Sequence, residues 1–159
     1  MSCRQALTNT PQDVTSDIYF INDPIQTTLA YQVYESAYKD EHAKIAYLTN
    51  LVRYSPYKFF RNGMIVTGEG AAQWLEYKIN KFPEDCTTVE DFIEKVASFS
   101  RRSGREYTII VDTEHCYPIK QVYYNELRRL SAHEKKTAEH VTPAHEGSKE
   151  PLSAYRSEQ

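Results

Sequence analysis

The chain is short of the residues that usually announce a specialised architecture. Glycine and proline number only five and seven in 159 residues, which excludes collagen-like and low-complexity chains. Three cysteines (Cys3, Cys86 and Cys116) are odd in number, widely spaced and free of any C-x-x-C pair. That pattern argues against a secreted disulfide framework and against a zinc ribbon. No apolar run approaches the eighteen or so residues of a membrane-spanning helix, and the polar stretch Met1 to Asp13 does not read as a signal peptide. A reducing, cytoplasmic setting is the expectation. Excess positive charge is missing too: the formal net charge is −3 and the pI is near 6.0, so binding nucleic acid through a dominant basic surface is not expected.

Motifs for phosphate and metal chemistry are also absent. The chain has no G-x-x-x-x-G-K-[ST], G-x-G-x-x-G, H-E-x-x-H or G-x-S-x-G, so neither cofactor nor metal is expected. His115 beside Cys116 fails as a catalytic dyad, because neighbours on a strand point to opposite faces. Buried structural cysteine is the reading for both Cys86 and Cys116. His133, His140 and His145 lie in a segment too polar to hold a ligand set.

Tyrosine is what the chain has in quantity, thirteen beside one tryptophan. Aromatic side chains with polar tips suit half-buried positions and interfaces. Residues 28–38 alternate β-branched and aromatic side chains and predict a strand. Residues 39–54 place Ala43, Ala46, Tyr47, Leu51 and Tyr54 at helical spacing, stopped by Ser55-Pro56. Within residues 59–67, Met64-Ile65-Val66-Thr67 predicts a short strand, with Gly68-Glu69-Gly70 as a turn or bulge. Residues 73–79 read as the return strand or, starting at Ala71, as a short helix, with the strand favoured. Thr87 and Glu90 form a capping box for a helix running to Phe99. Tyr107 to Asp112 is the clearest strand, Cys116 to Tyr124 its hairpin partner, and Asn125 to Leu130 starts a last helix.

This order predicts an α+β sandwich of the ferredoxin-like kind, a mixed or antiparallel sheet with two helices on one face. The expected organisation is an N-terminal extension (1–17), one domain (18–130) and a disordered tail (131–159), helical at most to about Thr137. Arg101, Arg102 and Arg105, with Lys95, form a small basic cluster explained by the dipole of the preceding helix or by phosphate binding. Glu69, Glu76 and Glu106 stand at element ends, where carboxylates can hold a cationic or hydroxyl-bearing ligand.

Two segments carry a resemblance. Val33-Tyr34-Glu35-Ser36-Ala37-Tyr38-Lys39, running into an amphipathic helix, and Gly104-Arg105-Glu106-Tyr107-Thr108-Ile109-Ile110-Val111-Asp112 are similar to segments of the phage-encoded S-adenosylmethionine lyases (formerly hydrolases) of coliphages. The resemblance spans about Thr28 to Lys120. It departs from the family at Arg105, where relatives usually carry Gln, and leaves Glu69 and Glu76 competing for one acidic position. It implies a homotrimer with sites between subunits, cleaving S-adenosylmethionine to methylthioadenosine and homoserine lactone in the service of anti-restriction. The substrate's own carboxylate attacks and a neutral thioether leaves, so no cofactor is called for. In that scheme Glu69 and Glu106 are catalytic, while Tyr57, Glu76 and Arg105 bind substrate. Two other readings stay open: a non-enzymatic phage protein that binds and inhibits a host protein, and a sensor of an adenosine ligand.

Overall fold

A computed structural model describes residues 17–141. The elements are α1 (Leu29–Ser36), α2 (Glu41–Tyr54), β1 (Lys58–Arg61), β2 (Met64–Thr67), α3 (Gly68–Lys81), α4, β3 (Thr108–Ile110), β4 (Cys116–Pro118) and α5 (Ile119–His140). Helix α4 opens at Val89–Asp91 and widens into a π-helical segment, Phe92–Ala97. Single 3-10 turns lie at Ile25–Thr27 and Pro83–Asp85. The protein is α+β, as expected, with a four-stranded, wholly antiparallel sheet in the order β2-β1-β3-β4. Its connectivity is two β-hairpins side by side, joined by the α3–α4 segment.

Local chemistry explains most boundaries, and corrects several expectations. The first hairpin turns at Asn62-Gly63, both with positive φ (48° and 83°), the backbone of a tight turn whose twist matches paired strands. The short strand expected at Met64 to Thr67 is β2, with β1 ahead of it as its hairpin partner, and the turn expected at Gly68 to Gly70 is the start of a helix. Thr67 caps that helix by accepting the Gly70 N–H at 3.2 Å. Gly68 is needed by close approach: a Cβ there would lie 2.3 Å from the Val52 carbonyl oxygen. Residues 73–79, favoured as a strand, are thus helical.

Residues 28–38 are also helical, with Thr28 accepting the Tyr31 N–H at 3.2 Å. The apparent period of two there is a run of tyrosines whose buried members, Tyr31 and Tyr34, sit three apart on one helical face. Thr88 caps α4 by accepting the Asp91 N–H, one residue on from the box expected at Thr87. The carboxylate of Glu41 accepts the Val89 N–H at 2.8 Å and so ties α2 to the head of α4. Helix α5 begins at Ile119, where a longer strand was expected, and continues through His140, past the boundary expected at Leu130. The rest of the expected tail and the N-terminal extension lie outside the described residues.

Pairing register sorts the sheet into two faces. Phe59, Val66, Ile109 and Tyr117 align on the inner face and join a core containing Phe20, Tyr47, Leu48, Leu51, Phe92, Ile93, Tyr123 and Leu130. A strap, Ile18 to Asp23, crosses this core and is held by α5. Asn125 donates to the Ile18 carbonyl at 3.0 Å, Glu126 accepts the Phe20 N–H at 2.8 Å, and Arg129 donates to the carbonyls of Ile21 and Asp23. Ser55 donates to the Phe20 carbonyl at 2.7 Å. Phe20 itself is fully buried, edge-on to Tyr123 at 4.9 Å.

Candidate functional site

The five residues singled out in the sequence do not form one site. Glu69 and Glu76, seven residues apart on α3, share a face there, and Arg53 of α2 bridges them with 2.5 Å contacts to both carboxylates. Both acids are about half exposed, so this is an interhelical clamp at the surface, and Gln73 adds a 3.1 Å hydrogen bond to Glu69. Glu106 forms an isolated bridge with Phe99 ahead of β3. The side chains of Glu106 and Arg105 make no hydrogen bond or ion pair among the described residues. Tyr57 is half-buried against the core, and its hydroxyl accepts from Asn22 at 2.7 Å. Glu76 borders a cleft of about 460 Å³ between α2 and α3, with His42, Asn50, Asn80 and the buried Cys86. Burial pushes the Cys86 thiol pKa up, so that sulfur is a wall of the cleft rather than a nucleophile.

Cys116 departs from the expected buried thiol. It is only half-buried and takes part in a disulfide, whereas Cys86 is free and buried. The neighbouring His115 pairs with Asp112 at 2.8 Å.

The residues that do converge are Arg61, Trp74, Lys78 and Tyr107. Arg61 ends β1 on the inner face, with its guanidinium 3.6 Å from the centre of the Trp74 ring and its Nε donating to the Tyr107 hydroxyl at 3.3 Å. Trp74 and Lys78 stand one turn apart on α3, which puts both side chains over the same end of the sheet. Lys78 is 4% exposed and donates to the carbonyls of Val96 and Phe99, where the widened π-turn leaves acceptors unfilled. Burial, with Arg61 and Arg101 nearby, lowers its pKa to about 8.

Charge at this corner is one-sided. Among the described residues Arg61 and Lys78 make no ion pair, whereas Arg101 is paired with Asp85. The hairpin tip is latched beside it: Asn62 donates to Ser100 Oγ at 3.1 Å and accepts from Ser103 Oγ at 2.9 Å. Arg102 and Arg105 are exposed on that loop and make no ion pair among the described residues. Beneath Arg61 runs a cavity of about 40 Å³, walled by Phe59, Val66, Leu75, Ala97 and Ile119. Tyr123 also lines it, fully buried, with a hydroxyl that has no hydrogen-bond partner among the described residues. The space is enough for a water or two, or for the tip of an apolar group.

This arrangement can bind an anion and does not resemble a catalytic constellation. An unpaired guanidinium held by an aromatic face offers its remaining N–H donors in a fixed plane, suited to a carboxylate or phosphate. The sequence reading missed it because Trp74 and Lys78 were placed on a strand, which puts both beside Glu76 on one alternating face. The spacing of four was the available signal, and it becomes legible once residues 68–81 are known to be helical.

Residues 39–131 match a family model described as a family of unknown function (DUF5329). The match takes in the whole sheet and helices α2 to α4, and leaves out the strap and α1. No curated protein matches the chain, and no solved structure does.

Proposed function

The chain belongs to DUF5329, a family of unknown function, and we propose that it is a binding domain for a small carboxylate with an apolar body. The anionic head would meet Arg61 and Tyr107, and the apolar end would enter the cavity beneath α3. The observation that carries this reading is the Arg61 guanidinium, stacked on Trp74 with no carboxylate partner among the described residues, at the mouth of an apolar cavity. Lys78 behind it adds positive charge that falls as the ammonium releases its proton near pH 8, so affinity should weaken above that pH.

Trp74 is the only tryptophan of the chain, so its fluorescence reports this site alone. Titration with benzoate should change the emission saturably, with inorganic phosphate competing more weakly. Arg61→Leu should reduce benzoate affinity at least tenfold, the loss of one charge-assisted pair. An emission that stays flat to millimolar benzoate, or a variant that binds as well as the parent, would overturn the proposal.

A second reading, the S-adenosylmethionine lyase, is supported by the sequence resemblance and by one observation, that Glu76 borders a cleft of about 460 Å³. It goes with a cytoplasmic homotrimer and assigns Glu69 and Glu106 to catalysis. Incubation with S-adenosylmethionine and mass detection of methylthioadenosine and homoserine lactone tests it directly. Unchanged substrate from folded protein removes it.

A further inference from the structure

A hydroxyl shut away from water without a partner costs stability, and folded chains seldom leave one so without a use for it. Tyr123 of α5 is such a case. It is 0% exposed, and its hydroxyl has no hydrogen-bond partner among the described residues. The ring packs edge-on to Phe20 at 4.9 Å and to Phe92 at 6.0 Å, and that packing holds the hydroxyl in place. Tyr123 is a wall of the cavity beneath Arg61, and so is Tyr107. The Tyr107 hydroxyl accepts from Arg61 Nε, which leaves its own proton to donate. Burial, with Tyr107 nearby, raises the Tyr123 pKa well above that of an ordinary phenol. Tyr123 therefore keeps its proton and can both donate and accept.

We propose that the carboxylate bound at the Arg61 corner carries a hydroxyl at its far end, and that Tyr123 selects for it. The inference rests on the anion reading of that corner and names the class of acid: a hydroxylated aromatic acid, with its charge at one end of the ring and its hydroxyl at the other. The anionic head meets Arg61 and the remaining proton of Tyr107. The ring lies against the apolar wall of Phe59, Val66 and Leu75, and the terminal hydroxyl shares a hydrogen bond with Tyr123. A cavity of about 40 Å³ has room for one such tip in place of a water. Other tips fit the chemistry less well. A methyl group leaves the Tyr123 phenol unpaired, and a second carboxylate brings an uncompensated charge into an apolar space.

Calorimetric titration of the full chain with benzoate, 4-hydroxybenzoate and 2-hydroxybenzoate tests the inference. The 4-hydroxy acid should bind about fivefold or more tighter than benzoate, the gain of one buried hydrogen bond. The 2-hydroxy acid, whose hydroxyl sits beside the charge and away from Tyr123, should gain nothing. Tyr123→Phe should shrink the preference for the 4-hydroxy acid to about twofold or less, with an unfolding midpoint at or above the parent's, because an unpaired hydroxyl is removed. Three results would each overturn the inference and leave the anion site standing: benzoate binding with no gain from the 4-hydroxyl, an equal gain from the 2-hydroxyl, or a preference that survives in Tyr123→Phe. Failure of all three acids to bind would overturn the anion site, and this inference with it.

Discussion

Glu126 and Lys78 are both withdrawn from water, at 0% and 4% exposure, yet their surroundings treat the two charges in opposite ways. Glu126 is enclosed by partners from its own chain. One oxygen accepts the Phe20 N–H at 2.8 Å, while the other makes no hydrogen bond and lies 3.6 Å from Arg129. Burial lifts its pKa to about 7, with Arg129 and the backbone N–H groups of Phe20 and Ile21 pulling it down. Lys78 also finds backbone partners, but its neighbours Arg61 and Arg101 share its sign. One corner sets its charge against a cation of opposite sign and holds the strap. The other carries positive charge in excess of its partners, which is the condition for taking a ligand.

The largest effect tests the strap corner. Phe20→Ala removes a fully buried ring that touches Tyr123 and Phe59, and chemical denaturation should show a loss of about 3–5 kcal/mol. If the strap were dispensable, the loss would stay under about 1 kcal/mol. The next separates the charge of Glu126 from its shape. The fold holds that proton up to about pH 7, whereas the unfolded chain releases it near its ordinary carboxylic value. Stability should therefore fall as pH rises from about 4.5 to 7, by roughly 1–3 kcal/mol. Glu126→Gln should flatten that slope while keeping an acceptor for the Phe20 N–H.

Lys78 gives the reverse sign. Its folded pKa lies below the unfolded one, so stability should climb between about pH 8 and 10 by roughly 1–2 kcal/mol and stay level below that range. Lys78→Met should abolish the climb, and it leaves two carbonyls unpaired. Arg61→Leu sharpens the contrast further: stability should change by about 1 kcal/mol or less, while ligand response disappears. Glu69→Ala is expected to have the smallest effect. It breaks one arm of a half-exposed clamp, worth under about 1 kcal/mol, and a larger loss would mean that the clamp matters to the packing of α2 on α3.

How much was legible along the chain follows the range of the interactions. Helix α2 and strand β3 were readable because their periods are carried by local residues of one character. Strand β2 was readable as a short β-branched run, whereas β1 went unread because Asn62-Gly63 was not recognised as a turn, although that dipeptide is a strong local hairpin signal. Helices α1 and α3 were mistaken for strands for a different reason. Tyrosine and tryptophan favour strands intrinsically, and caps from Thr28 and Thr67 together with packing on α2 override that preference. The site suffered in turn, since a wrong element type puts every side chain on the wrong face.

From its sequence alone the protein is an α+β chain of ordinary composition, with helices where α2 and α4 stand, strands where β2 and β3 stand, and no motif for metal or phosphate. Those properties depend on residue type and near-neighbour spacing. Tertiary structure alone decided that Arg53 engages Glu69 and Glu76, that Lys78 ends among cations, and that α5 grips a strap a hundred residues away. Such outcomes depend on which surfaces are excluded from water together, and a charge acquires or loses its partner only when the chain closes around it.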